Sequence, residues 1–473
     1  MRRPRVLRRD RMLTRRGVRW LDTRLGGARF LRTALGKVFP DHWSFMIGEI
    51  ALYSFVVLLA TGTYLTFFFD ASTRTVTYSG SYAPLRGVEM TEAYRSALDL
   101  SFDVRAGLVM RQIHHWAALL FLAAIVVHLM RVFFTGAFRR PRELNWMVGV
   151  TLLILAIFNG FAGYSLLDDQ LSGTGLRIAY SITLSIPLAG TWLASLLFGG
   201  EFPGPDILSR LYVIHILLIP ALIMALLGVH LALIVRQKHT QFAGPGRKED
   251  NVVGERVWPS FAFKSTGLMF LTAGVLAAMG GLAQINPIWL YGPFEPAEVS
   301  AASQPDWYMG WLDGALRLWP GWELRAFGYE IPAPFFPAVL LAGVTFGLLY
   351  AWPFLEVRRT GDREPHHLLD RPRDRPVRTA LGVATLSFYA VLTASAASDV
   401  TATTFSVSVN GVLRAFRAAA IVMPVLSGVV TNRLCRELQA RDVARGIPVP
   451  KPVEPPTRSR RRVRVRPGAT TVD

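Results

Sequence analysis

The chain has 473 residues, of which 51% are hydrophobic, and it carries a formal net charge of +19. Its mean hydropathy is positive at +0.32 and several apolar segments exceed twenty residues, which excludes a soluble enzyme and indicates a polytopic membrane protein. The single cysteine, Cys435, excludes an internal disulfide and any group attached through a cysteine pair.

A strongly basic stretch begins the chain. Residues 1–44 contain thirteen Lys or Arg and three acids, and they lack an apolar run followed by a small-residue cleavage site. This composition predicts a retained cytoplasmic extension rather than a signal peptide. Eight apolar segments follow that are long enough to cross a bilayer as helices, which predicts an all-α polytopic fold. The predicted spans are 45–69, 111–134, 144–167, 207–235, 265–285, 333–355, 379–398 and 411–431.

The distribution of basic residues orients these spans. The two termini and the loops on their side hold 41 Lys or Arg, whereas the loops on the other side hold seven. Because cytoplasmic loops carry the excess of Lys and Arg, both termini are predicted to lie in the cytoplasm of a plasma-membrane protein. The net charge then needs no nucleic-acid partner, and lipid is the expected neighbour. Residues 236–264 become a cytoplasmic loop, 284–331 a long outer loop, and 432–473 a basic, disordered cytoplasmic tail.

One further segment is long enough to be a ninth span. Residues 178–200 carry no charge, but counting them as a span would move 236–264, with its six basic residues, to the outer side. We therefore predict helix that lies on or re-enters the outer face and is broken at Pro187. The second and fourth spans then run parallel, whereas a ninth span would make them antiparallel.

Four of the nine histidines lie in the second and fourth spans. His114 and His128 are fourteen residues apart, and His215 and His230 are fifteen apart, which separates each pair by about 21–22 Å along its helix. An ionisable side chain in a membrane helix marks a functional site. We predict two bis-histidine sites, His114 with His215 near the outer face and His128 with His230 near the inner face. These sites suit two b-type haems better than zinc, because no third protein ligand is offered; His115, about 100° around the helix, is expected to pack or to support the site.

Glycines recur at the same interval. Gly48 and Gly62 lie fourteen residues apart in the first span, and Gly149 and Gly163 fourteen apart in the third. Glycine at two depths would leave room for a haem edge between helices, although ordinary small-residue helix packing is an alternative. The first four spans, residues 45–235, are therefore predicted to form a four-helix bundle that holds both haems.

Three arginines lie close to these histidines in the sequence, namely Arg111, Arg131 and Arg210. Each is predicted near a membrane face, where a haem propionate would emerge and could form a charge-assisted pair. Arginines that anchor helix ends at the interface are an equally good explanation.

These features resemble a known family. The four histidines, the paired glycines, the pair Gly163-Tyr164 and the outer-loop motif Pro305-Asp306-Trp307-Tyr308 look like the cytochrome b subunit of the quinol–cytochrome c reductase (cytochrome bc) complex. The arginine-rich extensions and residues 284–311 resemble the actinobacterial branch, and the resemblance covers about residues 37–435.

The resemblance implies a function and a set of partners. It implies eight membrane helices, with two b haems held by the first four. It also implies a Q cycle, in which quinol is oxidised at the outer face and quinone is reduced at the inner face, and which generates proton-motive force. It also implies a Rieske iron-sulfur subunit, a cytochrome c subunit, a dimeric complex, menaquinol as the donor, and association with a terminal oxidase.

The motif at 305–308 marks the outer quinol site in this resemblance. Asp306 stands where most of the family has glutamate, and because it is one methylene shorter, a bridging water is expected between it and a quinol hydroxyl. Tyr308 is the neighbouring candidate for proton handling. Pro305, Trp307 and Gly175 are also assigned to this site by the resemblance. A turn-forming tetrapeptide is the alternative interpretation of the motif.

Two carboxylates at the end of the third span depart from the family pattern. Asp168 and Asp169 stand where many relatives have a neutral sequence, and we expect them to face the same outer space.

The resemblance also implies an inner quinone site, built from a histidine after the fourth span and an acid at the start of the fifth. His239 matches the histidine, but Ser265, after Lys264, stands where the acid is expected. Glu49 lies at the inner end of the first span, where a charge is costly, and we predict that it delivers the protons instead. An ion pair between Glu49 and Lys37 is the alternative.

Two other classes of function remain to be compared. A b-type transmembrane haem protein that serves another dehydrogenase or oxidase would keep the histidines but would have no use for the 305–308 motif. A transporter with histidine proton relays would leave the glycine pairs and the matched depths unexplained.

Overall fold

The computed structural model describes residues 34–447 except 203, 299–303 and 327, together with residues 20, 22–24 and 27. Most of the predicted basic extension, 1–44, and the end of the predicted tail, 448–473, therefore lie outside the described residues. The side that carries the 284–331 loop is called outer below and the opposite side inner, following the predicted topology.

Eight helices of the described chain are long and apolar enough to cross a membrane, which confirms the all-α polytopic fold and the number of spans. They are named the first to the eighth span in chain order. Their bounds are Trp43–Thr66, Gly107–Thr135, Glu143–Ser165, Ile207–Gln237, Val257–Leu282, Phe335–Thr360, Pro376–Ser395 and Val409–Ala444.

The eighth span corrects one prediction. The prediction that residues 432–473 are disordered is wrong for their first part, because the eighth helix continues to Ala444. Asp442 is buried near this end and lies 2.9 Å from Arg373 and 3.6 Å from Arg371. These ion pairs hold the helix end against the loop between the sixth and seventh spans, an interaction that sequence composition does not reveal.

Residues 178–200 do not form a span. They belong to two short helices, Gln170–Leu184 and Gly190–Phe198, separated by a bend that contains Pro187. Asp169 begins the first helix as its N-cap, accepting hydrogen bonds from the amides of Leu171 and Ser172. The prediction of a broken helix in place of a ninth span is confirmed.

Further α-helices and short strands lie in the loops between the spans. Three further helices cover Glu92–Phe102, Trp307–Leu318 and Ser398–Thr404. Short strands pair antiparallel as Val38–Phe39 with Glu255–Arg256, Thr75–Thr77 with Glu89–Thr91, and Leu324–Ala326 with Tyr329–Ile331, and parallel as Gln241–Phe242 with Leu368–Leu369.

The core between the first four spans is apolar midway between the two histidine levels. Phe55 of the first span packs with Ile219 and Ile223 of the fourth, and its ring stacks on Phe121 of the second span at 5.5 Å. Within a bilayer such contacts act mainly through van der Waals packing. They fix the spacing between the helices that carry the histidines.

Candidate functional site

Two pairs of histidines face each other between the second and fourth spans. The ring centroids of His114 and His215 lie 6.1 Å apart, and those of His128 and His230 lie 6.4 Å apart. The two spans run parallel, so the partners are those predicted from the topology without a ninth span.

The separation of the rings fits a metal between them. Two metal–nitrogen bonds of about 2 Å, with about 1.2 Å from each ring nitrogen to its centroid, span a little over 6 Å. His215 Nδ1 donates to the Asn159 carbonyl oxygen at 3.0 Å, and His114 Nδ1 lies 2.9 Å from Thr61 Oγ1. These bonds leave the Nε2 lone pairs of the outer pair free to bind a metal. The buried Nδ1 of His128 has no hydrogen-bond partner among the described residues.

Each of the four paired glycines lies against one histidine ring. A Cβ at Gly62 would lie 3.1 Å from the nearest ring atom, one at Gly48 3.2 Å and one at Gly149 3.8 Å, while one at Gly163 would overlap the ring. The glycines therefore make room for the imidazoles themselves, and their predicted contact with a haem edge stays a prediction. The pairs are Gly48 with His128, Gly62 with His114, Gly149 with His230 and Gly163 with His215.

Two of the three predicted arginines suit an anionic group. Among the described residues, the buried Nε and Nη2 of Arg131 have no hydrogen-bond partner, and its guanidinium lies 4.2 Å over the Phe45 ring. Arg111 is buried and donates through both Nη atoms to the Asn286 carbonyl oxygen at 3.3 Å, but its Nε has no partner in the described part of the chain and could also donate to a carboxylate. Arg210 is already engaged, because it donates to the Leu196 carbonyl oxygen at 2.7 Å.

The outer motif forms a histidine–carboxylate hydrogen bond that sequence reasoning missed. His115 Nε2 lies 2.9 and 3.0 Å from the two carboxylate oxygens of Asp306. The adjacent histidines His114 and His115 were a signal, since neighbours on a helix point to different partners. Tyr308 is 4% exposed, and burial, with the nearby charge of Asp306, raises the pKa of its phenol. Tyr308 therefore stays protonated, which makes Asp306 the better proton acceptor.

The other residues assigned to the outer site lie around this pair. The Trp307 ring is 6.2 Å from that of Tyr308, and Pro305 directly precedes Asp306. A Cβ at Gly175 would lie 2.9 Å from the Tyr164 hydroxyl, so this glycine makes room for a tyrosine of the third span.

The two extra carboxylates do not both face open space. Asp169 is fully buried as the N-cap of Gln170–Leu184, and burial raises its pKa to about 6. Asp168 accepts a hydrogen bond from Thr91 Oγ1 at 2.7 Å. The expectation that Asp169 faces the outer aqueous space is wrong, because the helix start needs its oxygen.

At the inner side, Glu49 and Ser265 meet. Ser265 Oγ donates to Glu49 Oε2 at 2.7 Å, and the Tyr53 hydroxyl donates to the same oxygen at 3.3 Å and also bonds to Ser265. Lys37 instead donates to the Val235 carbonyl oxygen at 2.8 Å, so it is not the partner of Glu49. The first-span acid thus lies beside the fifth-span position where the resemblance expects one.

His239 lies between aromatic rings near this site. Its centroid is 4.5 Å from that of Phe39 and 5.9 Å from that of Phe45. Burial, with the charges of Arg131 and Arg142, lowers its pKa to about 4, so the imidazole is neutral at physiological pH. A mostly apolar cavity of about 270 Å³ borders it, lined by residues that include Lys37, Phe39, Val235, Lys238 and Val252.

Lys264 does not bond to Glu49 or His239 in the described part of the chain. Its amine forms ion pairs with Asp41 and Glu255 at 2.9 Å each. Sequence reasoning also overlooked Arg142, which donates to the carbonyl oxygens of Lys238 and His366 at 2.8 and 2.7 Å and so fixes the backbone next to His239.

Comparison with known proteins identifies the family. A family model described as cytochrome b (N-terminal)/b6/petB matches residues 119–293. The cytochrome bc1 complex cytochrome b subunit of Mycobacterium tuberculosis is 59% identical over 423 residues, covering 89% of this chain and 77% of that protein. The corresponding subunits of Corynebacterium diphtheriae and Streptomyces coelicolor are 54% and 51% identical, each over 89% of this chain and 78% of the relative.

A solved structure supports the fold. A chain of a hyperthermophilic respiratory Complex III matches with a TM-score of 0.64 at 20% identity, covering 88% of this chain and 98% of that one. Together with the relatives above, these findings show that the chain belongs to the cytochrome b subunits of the cytochrome bc1 complex, a membrane oxidoreductase of the quinol–cytochrome c reductase type.

Proposed function

We propose that this subunit carries out a Q cycle, oxidising menaquinol at the outer side and reducing a quinone at the inner side, with two b haems between. The observation that carries the proposal is the two histidine pairs, whose ring centroids lie 6.1 and 6.4 Å apart at two levels of one bundle. His114 with His215 and His128 with His230 would hold the two haems, which would supply one-electron transfer without oxygen activation.

At the outer side, Asp306 would accept the proton of a quinol hydroxyl. Its carboxylate is held by His115, and a general base must be in hydrogen-bond reach of the proton it takes, directly or through one water. Tyr308 would orient the quinol through its hydroxyl. Arg111 would donate to a propionate at the outer level, and Arg131 at the inner level.

At the inner side, Glu49 would deliver protons to the quinone. Its bonds to Ser265 and Tyr53 hold the carboxyl group at the fifth span, where the resemblance expects an acid. His239, neutral and flanked by Phe39 and Phe45, would bind the quinone ring by stacking and hydrogen bonding.

Membership of the cytochrome bc1 family also implies partner subunits. Relatives carry the name of the cytochrome bc1 complex, and we propose a Rieske iron-sulfur subunit and a cytochrome c subunit as neighbours. We further propose a homodimeric complex in the plasma membrane, with both termini cytoplasmic, lipid around the spans, and a terminal oxidase as an associated partner.

A haem assay and a turnover assay test this function. The purified complex should contain two haems b for each copy of this chain by pyridine haemochrome spectroscopy, and it should reduce cytochrome c with a menaquinol analogue. One haem per chain would contradict the double site. Two haems without quinol oxidation would instead favour a b-type electron carrier of another dehydrogenase or oxidase.

A further inference from the structure

The two histidine levels are related by an internal fourteen-residue repeat. In the first span Ile47-Gly48 precedes Thr61-Gly62 by fourteen residues, and in the third span Asn145 and Gly149 precede Asn159 and Gly163 by the same interval. The glycines at both levels lie against histidine rings. The inner and outer surroundings are therefore built from the same pattern, and a position where the pattern breaks distinguishes them.

The fourth-span histidines keep the pattern in sequence, because Asn145 and Asn159 lie fourteen residues apart. His215 Nδ1 donates to the Asn159 carbonyl oxygen at 3.0 Å, whereas His230 Nδ1 has no hydrogen-bond partner among the described residues. The outer support of this pair is a main-chain atom, which a side-chain difference does not alter.

The second-span histidines break the pattern. His114 Nδ1 lies 2.9 Å from Thr61 Oγ1, whereas the repeat places Ile47 at the equivalent inner position, and His128 Nδ1 has no partner among the described residues. The Thr61 hydroxyl donates to the Val57 carbonyl oxygen at 2.7 Å. Its oxygen therefore acts as an acceptor, and His114 Nδ1–H donates to it.

A hydrogen bond accepted from the far nitrogen of a ligating imidazole has two effects. It fixes the tautomer that presents Nε2 to the metal, and it raises the basicity of the ligand. A more basic ligand stabilises the oxidised, more positive iron, so the reduction potential falls.

We infer that Thr61 is a positioning residue that lowers the reduction potential of the outer haem through His114, and that Ile47 denies the inner haem the same interaction. The inference rests on the proposed haem binding at the two histidine pairs. Part of the potential difference between the haems would then be encoded by one side chain in an otherwise repeated surrounding.

Two reciprocal variants test the inference in the intact purified complex, by redox titration of the haem absorbance. Thr61→Val keeps the shape of the side chain and removes the acceptor, and it should shift the outer haem to higher potential while the inner haem stays unchanged. Ile47→Thr should shift the inner haem to lower potential. Thr61→Ser should restore the wild-type outer value.

Thr63→Val is the matched control, since Thr63 is exposed on the same helix and its hydroxyl donates to the Leu59 carbonyl oxygen of that helix. Unchanged potentials in Thr61→Val with both haems present would overturn the inference and assign the support of His114 to the nearby Leu58 carbonyl. If Thr61→Val loses its haem, Ile47→Thr decides, and an unshifted inner haem overturns the inference. Fewer than two haems in the wild-type complex would contradict the proposed function instead.

Discussion

At the scale of single residues, the bond between His115 and Asp306 gives the short carboxylate of the outer motif a fixed position. Asp306→Asn keeps the size of the side chain and removes its ability to accept a proton. We expect quinol oxidation to slow by about 10²-fold or more, with both haem spectra unchanged, measured as cytochrome c reduction by the purified complex.

Glu330→Gln is the control for that variant, because Glu330 is an exposed carboxylate of the same outer loop, paired with Arg325. Its turnover should match the wild type. Wild-type turnover in Asp306→Asn at every pH would remove the proposed role of Asp306.

Glu49 carries the corresponding prediction at the inner side. In Glu49→Gln the side chain can still bond to Ser265 but has no acidic proton. Reoxidation of the inner haem by quinone should therefore slow, while reduction of the inner haem through the outer site continues. Flash or stopped-flow spectroscopy with the outer site inhibited measures this step. Glu255→Gln, which alters a partly exposed carboxylate on the inner side, should leave it unchanged, and normal reoxidation in Glu49→Gln would refute the role of Glu49.

Between neighbouring helices, the third span lies closer to the histidine of the fourth span at Gly163 than at Gly149, so the two glycines should differ in whether they tolerate a larger side chain. A Cβ at Gly163 would overlap the His215 ring, whereas one at Gly149 would lie 3.8 Å from the His230 ring, an ordinary contact. Gly163→Ala should therefore displace His215 and remove the outer haem, and Gly149→Ala should keep both haems. Haem content per chain measures the difference, and two haems in Gly163→Ala would show that the helices separate without loss of ligation.

At the scale of the whole molecule, one carboxylate on the inner face joins distant segments. Asp370 lies 2.7 Å from Arg378, 3.2 Å from Arg375 and 3.4 Å from Arg139, and Arg378 also pairs with Glu356 at 2.7 Å. The group thus ties the loop after the second span to the end of the sixth span and the start of the seventh.

Removing that carboxylate should loosen the C-terminal half. Burial alone would raise the pKa of Asp370, but the three arginines outweigh it and hold the pKa below 3.8. Its stabilisation is thus complete above the unfolded value of 3.8 and is lost as pH falls through the lower folded value. Asp370→Asn should cost about 3–5 kcal/mol at neutral pH, seen as a lower melting temperature of the complex.

The control and the pH dependence sharpen that prediction. Asp362→Asn changes a carboxylate nearby that pairs with His366, and it should have a smaller effect. The melting temperatures of wild type and Asp370→Asn should converge below pH 3.8. A difference that stays constant as the pH falls well below 3.8 would mean that the charge of Asp370 is not the cause.

The spans, their order and the histidines that face each other could all be predicted from the sequence, because apolar length, the arginine distribution and a fourteen-residue interval are properties of the chain alone. Glu49 could also be singled out, since an acid in an apolar helix is visible without coordinates, but its role at the inner side stays a prediction. The contacts between segments far apart in sequence could not be predicted and were found only in the folded structure. These include His115 with Asp306, Thr61 with His114, and the ion pairs that extend the eighth helix to Ala444. The physical reason is that hydrogen-bond and ion-pair partners are selected by the packing of helices, which places side chains up to about two hundred residues apart within 3 Å of each other, and no local pattern encodes that distance.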